Sequence, residues 1–251
     1  MNTKIFYKDE NAVILKGDML NDKRIPDNYI DLIVTSPPYN VGKNYGEAND
    51  NLEYDDYIEF TYNWLRKCYS WAKDDGRLCM NIPIDTGKGV QRSLGADITC
   101  IAKDVGWNYR TTIVWNEGNI SKSSARGSFM SASSPHVISP VELIVVMYKK
   151  QWKKTCRGKS DTSKDEFMEW TNGIWTFPGE SKKRIGHPAP FPTELPKRCI
   201  KLFSYIDDVV LDPFMGSGTT LIAAKMLNRK SMGIEISGEF CELAFRRILK
   251  Y

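Results

Sequence analysis

Two short apolar runs, far apart in the chain, each end in a turn that restricts the backbone severely. Leu32-Ile33-Val34 leads into Thr35-Ser36-Pro37-Pro38-Tyr39, and Val209-Val210-Leu211 leads into Asp212-Pro213-Phe214-Met215-Gly216-Ser217-Gly218-Thr219-Thr220. Each reads as a β-strand closing on a rigid or glycine-rich corner. In an open α/β sheet, ligands lie in the crevice outside the carboxyl ends of the strands. Two such corners predict two ligands meeting at one sheet edge.

Between and around them, strand and helix signals alternate, which predicts an α/β fold with a mostly parallel sheet. Ala12–Leu15 reads as a strand ended by Gly17-Asp18. Tyr57, Phe60, Trp64, Cys68 and Trp71 form one helical stripe, stopped by Asp74-Asp75-Gly76; Arg77–Ile82 follows as a strand. Ile98, Ile101, Ala102 and Val105 form a second stripe closed by Gly106. Tyr109–Trp115 and Val141–Tyr148 read as strands, the latter the most continuous apolar run of the chain. A helix from Thr193, its expected cap, the strand Met232–Ile236 and a last helix on Phe240, Ala244 and Ile248 complete the pattern.

At the second corner, Gly216 and Gly218 let the backbone approach a ligand closely, and a helix N-terminus there favours a carboxylate. Glu235 lies 23 residues beyond Asp212, about the separation at which an acidic side chain holds ribose hydroxyls. Leu221 stands where a nicotinamide fingerprint has its third glycine, and no Gly-Lys-Ser/Thr follows, so neither dinucleotide nor P-loop chemistry fits. Asp212 suits the ammonium of a zwitterion better than a diphosphate.

The pair of motifs resembles the amino-group DNA methyltransferases that use S-adenosylmethionine, in the circularly permuted (β-type) order where the catalytic motif precedes the cofactor motif. The resemblance runs from Asp18 to Glu235. It implies a Rossmann-like methyltransferase fold in one domain spanning residues 1–251. It also implies that Asp212, Phe214, Gly216, Gly218 and Thr219 surround the methionine part of S-adenosylmethionine, that Glu235 takes the ribose and that Asp18 bonds the adenine amino group. His187–Thr193 is similar to the family's additional cofactor-contacting segment, although its alternating prolines also suit a stiff connector.

At the first corner, two prolines fix two φ angles and remove two donors. Ser36 adds a hydroxyl, Tyr39 an aromatic face, and the Ser36 and Pro37 carbonyls are fixed acceptors. Such a set suits an exocyclic amine held for a single in-line displacement. The target base of a duplex has to be flipped out at a cost of a few kcal/mol, and stacking on Tyr39 returns roughly 1–3 kcal/mol. Ser36, Pro37, Pro38 and Tyr39 are the catalytic candidates. In the resembling family Ser at position 36 is typical of cytosine N4 enzymes and Asp of adenine N6 enzymes. Cytosine N4 is therefore the expected target, with adenine N6 as the alternative and an RNA methyltransferase or a non-catalytic DNA-binding relative as remoter ones.

Two segments lack periodicity. Gly118–Ser134 is rich in Ser and Gly, and residues 149–184 carry ten Lys or Arg against five Asp or Glu. A density such as Lys149, Lys150, Lys153, Lys154, Arg157 and Lys159 suits phosphate contacts. Both segments are expected to be insertions that recognise double-stranded DNA, with Lys153 and Lys154 among the contacts. The loop Asn40–Asp56 either offers Lys43 and Tyr45 to the strand that carries the flipped base or closes over the site. The net charge is only +4, so the argument for DNA rests on distribution. The six cysteines form no Cys-x-x-Cys pair, which predicts reduced, mostly buried thiols and no metal site. Neither a membrane-length apolar run nor a secretory signal is readable, so a cytoplasmic location is expected. The resemblance leaves open a cognate restriction endonuclease and a homodimer.

Overall fold

The computed structural model describes residues 3–43, 50–85, 92–118, 127–137 and 139–251. Among them, nine strands form one sheet in the order β1-β2-β9-β8-β3-β4-β6-β5-β7. The parallel centre consists of β2 (Ala12–Lys16), β9 (Lys230–Glu235), β8 (Val209–Asp212), β3 (Ile30–Thr35) and β4 (Ala72–Pro83). β6 (Val141–Tyr148) runs antiparallel to both β4 and β5 (Asn108–Asn116), β1 (Lys4–Lys8) runs antiparallel to β2, and β7 (Ile174–Thr176) lies parallel to β5.

Alternate residues of the central strands enter two different cores. Ile33, Leu78, Met80, Val145 and Met147 face α1 (Tyr54–Trp71) and α2 (Leu94–Val105), while Leu32, Val34, Cys79, Ile144 and Val146 face α5 (Glu194–Phe203) and α6 (Thr219–Met226). Burial on both faces explains the continuous apolar runs. It also accounts for β6, which reads like a parallel strand yet is antiparallel, because hydrophobicity reports burial and not direction. Beyond β2, α7 (Gly238–Ile248) closes a third cluster.

The structure corrects three local expectations. Asp74-Asp75-Gly76 does not stop α1; β4 already starts at Ala72, and this stretch is an irregularity in its pairing with β3. Thr193 makes no side-chain cap on α5. The 149–184 segment is not purely an insertion, since it contains α3 (Lys164–Trp170), the sheet strand β7 and the single turn α4 (Lys182–Ile185).

The crossover from β3 to β4 runs through α1 on one face, and that from β8 to β9 runs through α6 on the other. Adjacent β3 and β8 thus form the switch point, and the crevice at their carboxyl ends is where such a sheet holds ligands. Among the described residues no helix is long and apolar enough to cross a membrane.

Candidate active site at the switch point

Asp212 ties the two corners together. One of its carboxyl oxygens accepts from Thr35 Oγ1 (2.8 Å) and from the Phe214 amide (3.1 Å). The other accepts from Thr220 Oγ1 (2.8 Å). The side chain has no solvent exposure and lies outside the cavity wall. The expectation that it receives a ligand ammonium is corrected accordingly: its partners are groups of the protein itself, and it fixes β3 against β8.

Burial raises the Asp212 carboxyl from 3.8 to about 6, against the opposing pull of these three hydrogen bonds. A carboxyl with a raised pKa binds its proton more tightly in the fold than in the unfolded chain. Its contribution to stability is therefore present at low pH and lost as the pH rises through about 6. Asp212→Asn is expected to flatten that slope by about 2 kcal/mol between pH 4 and 7. Thr220 can turn its proton toward the Val34 carbonyl, 3.4 Å away, and accept from the new amide. Cofactor affinity should not change. Melting temperatures against pH and calorimetric titration check both halves.

A cavity of about 300 Å³ opens beside this joint. Its walls come from the ends of β2, β3, β8 and β9, from α1 and from the segment around residues 187–191. Of the expected residues, Asp18, Ser36, Pro38, Phe214, Gly216, Thr219 and Glu235 line it. Pro37, Tyr39, Asp212 and Gly218 do not. Gly218 (φ +76°) is where α6 meets α7, since a Cβ there would lie 2.8 Å from that of Ala244. Gly216 (φ +49°) is a closer match to its expected role: an added Cβ would lie 2.6 Å from His187 Nε2, at the cavity wall.

Glu235 accepts from the amides of Gly216 and Ser237, both at 2.9 Å, and burial raises its pKa to about 7. Asp18 accepts from the Leu20 amide (2.9 Å) and from Asn21 Nδ2 (2.8 Å), which fixes its carboxylate at the mouth of β2. Phe214 meets Trp64 edge-on at 5.5 Å between centroids. His187, Ala189, Pro190 and Phe191, from the segment that resembles a cofactor-contacting one and equally suits a stiff connector, all line the cavity. Burial lowers the His187 pKa to about 4, so its ring is neutral near pH 7.

Sequence reasoning missed Asp50, Leu52, Tyr57 and Phe60 as wall residues. Asp50 is buried and accepts from the amides of Asn40 (2.8 Å), Val41 (3.3 Å) and Lys43 (2.9 Å), pinning the chain just after Tyr39. Nothing in a polar loop marks one carboxylate for that task. Tyr57 and Phe60 belong to the apolar stripe of α1, whose first two turns border the crevice as well as the core. Tyr39 itself is 7% exposed and packs in the core, with Lys43 Nζ 5.8 Å from its ring centroid.

The basic run is also corrected. Lys149 Nζ donates to Asn28 Oδ1 (2.8 Å) and the Ala72 carbonyl (2.9 Å). Lys154 lies among Asp31 (3.5 Å), Asp75 (3.9 Å) and Asp208 (3.6 Å). Both sit at the amino ends of β3 and β4, the opposite end of the sheet from the cavity. Residues after Thr176, by contrast, leave β7 at the cavity end, as residues after Asn116 leave β5. Of the remaining expected DNA contacts, Tyr45 and residues 119–126 lie outside the described residues.

The lining fits a zwitterionic nucleoside. Asp18 and Glu235 stand side by side where β2 and β9 end, with the Gly17 amide donating to the Glu235 carbonyl (2.8 Å), and Asp50, aromatic and proline surfaces and the N-terminus of α6 share the same wall.

Known proteins match this reading. A family model described as DNA methylase (N6_N4_Mtase) matches residues 30–246. Type II methyltransferase M.MjaVI of Methanocaldococcus jannaschii is 55% identical over 182 residues, covering 72% of this chain and 93% of that protein. Type II methyltransferase M.HpaI of Haemophilus parainfluenzae is 31% identical over 230 residues, covering 90% and 70%. TTHA0409 of Thermus thermophilus, solved in complex with S-adenosyl-L-methionine, superposes with a TM-score of 0.72 at 28% identity, covering 94% of this chain and 92% of that one. The PvuII DNA methyltransferase (cytosine-N4-specific) shares the fold, with a TM-score of 0.76 at 22% identity over 97% and 88% of the two chains. On the family match and these identities, the chain belongs to the N6/N4 DNA methylase family.

Proposed function

We propose that this DNA methylase transfers a methyl group from S-adenosylmethionine to the N4 amine of cytosine in duplex DNA. The observation that carries the reading is Ser36, at the head of the Pro-Pro corner, on the wall of the same cavity as Asp18, Gly216 and Glu235. When bound, S-adenosylmethionine supplies an electrophilic methyl group on a sulfonium that leaves readily, so the protein needs no covalent nucleophile. Asp18 and Glu235 orient the nucleoside part. Ser217 and Thr219, at the start of α6, suit the carboxylate end. Phe214, Phe60 and Leu52 exclude water from the path of transfer. Ser36 holds the incoming amine by a hydrogen bond, and the rigid Pro37-Pro38 backbone keeps that contact in line. The extra proton leaves the amine after transfer.

We place DNA recognition on residues 118–134 and on the part of 149–184 that follows β7, including Lys182, Lys183 and Arg184, because the strands that precede them, β5 and β7, end on the cavity side of the sheet. The homology to type II enzymes supports a restriction–modification role with a cognate endonuclease.

Cytosine is favoured because Ser36 replaces the Asp typical of adenine enzymes. Nucleoside mass spectrometry of DNA treated with the chain and cofactor is expected to show N4-methylcytosine. N6-methyladenine alone would assign the adenine alternative and leave the site chemistry standing; no methylated base at all would remove the proposal.

A further inference from the structure

The polarity of the catalytic corner follows from one main-chain atom. Tyr39 Oη lies 2.7 Å from the Asn81 carbonyl, which can only accept, so the single Tyr39 proton points there. The phenol oxygen is left with lone pairs. Ser36 Oγ sits 2.5 Å from it. With the Tyr39 proton committed, the Ser36 hydroxyl has to be the donor of that pair. Its one proton is aimed into the protein, and only lone pairs face the cavity.

The support behind this chain is buried. Asn81 is 2% exposed, near the end of β4. Its Nδ2 lies 3.4 Å from Tyr39 Oη and 2.5 Å from Glu142 Oε2 at the start of β6. With Nδ2 toward both Glu142 Oε2 and the phenol, the Asn81 side chain is on its donor side here and does not compete to accept from Tyr39.

We propose that Tyr39 is a positioning residue that acts through its hydroxyl: by taking the Ser36 proton it makes Ser36 a pure hydrogen-bond acceptor, selective for an amine over a carbonyl at the same ring position. This rests on the amino-methyltransferase reading of the site. An amine offers N–H donors to such an oxygen. The deaminated base, uracil for cytosine or hypoxanthine for adenine, offers only lone pairs and is repelled. A site built around a hydrogen-bonded N–H rejects an analogue lacking it because its polar groups are left unpaired.

Tyr39→Phe keeps the ring and removes the proton acceptor, and its melting temperature serves as the control for folding. In single-turnover assays on the target duplex it is expected to transfer methyl about 10–50-fold more slowly than wild type, with unchanged cofactor affinity. Two further readouts separate positioning from packing. In a Ser36→Ala background, adding Tyr39→Phe should cost less than about twofold, because the hydroxyl has nothing left to orient. Competition with duplexes carrying the deaminated base at the target should show wild-type discrimination falling by about tenfold in Tyr39→Phe, whose Ser36 proton is free to meet a carbonyl. Wild-type rate and discrimination in Tyr39→Phe, or a loss that persists undiminished in the Ser36→Ala background, would overturn the proposal alone. A wild-type chain that methylates no DNA would overturn it together with the parent reading.

Discussion

Lys154→Glu is expected to leave the chain unfolded at room temperature, while Lys153→Glu, one residue away, should fold normally. The Lys154 side chain is 7% exposed and is shared by Asp31, Asp75 and Asp208, which come from β3, β4 and the approach to β8. Those carboxylates are structural in their own right. Asp31 accepts from the Val209 amide (3.0 Å), and Asp75 accepts from the Thr155 amide (2.7 Å). Lys73 also reaches Asp31 (2.7 Å) and acts on Asp75 and Asp208 from further away, but its side chain is 41% exposed and it is ion-paired directly with Asp31 alone among the three. Removing one partner of a buried ion pair costs about 3–5 kcal/mol. Reversing the charge adds repulsion from three sides, and a domain of this kind has only about 5–15 kcal/mol in total. Lys153 is exposed, and a surface change of that sort stays within about 0.5 kcal/mol. Circular dichroism melts of the two variants settle the matter. A folded Lys154→Glu with a near-native transition would mean that the three carboxylates do not depend on this cation.

The largest effect on activity is expected from Ser36→Ala. It removes the oxygen that receives the amine and leaves the Pro37-Pro38 backbone intact. Losing one preorganised polar contact in a water-poor site costs about 10²–10³-fold in the chemical step. Cofactor affinity should be untouched, because Asp18, Glu235, Gly216 and the residue 187–191 wall contribute no contact through Ser36. DNA affinity should fall little, since most of it comes from phosphates. Rapid-quench measurement of a single turnover, beside calorimetric titration of the cofactor, reads both quantities. Retention of more than a tenth of the wild-type rate would show that Ser36 is not the amine's principal contact.

Both motif corners were readable because their chemistry is local: two prolines fix a turn wherever they occur, and glycines before a helix allow a positive φ. The central strands were readable because helices cover both faces, giving unbroken apolar runs. What failed to read was non-local. β1 is mostly exposed and carries lysine at both ends, so it has no burial pattern to betray it. β7 is three residues long inside a polar stretch. The direction of β6 depends on which neighbours it meets. Lys154 looked like a phosphate contact because its three partners lie far away in sequence. Within the site, Asp212 and Tyr39 were placed correctly at the corners but face the protein: a hydroxyl or carboxylate at a strand end can turn either way, and only Thr35, Thr220 and the Asn81 carbonyl decide it.

The joint between Thr35 and Asp212 spans 177 residues of chain. During synthesis at about 5–20 residues per second, roughly 10–35 s separate the emergence of its two halves. A nascent polypeptide that already carries the amine-holding corner therefore has no pocket for the methyl donor until its final strands leave the ribosome. Truncated translation products should be inert toward the genome.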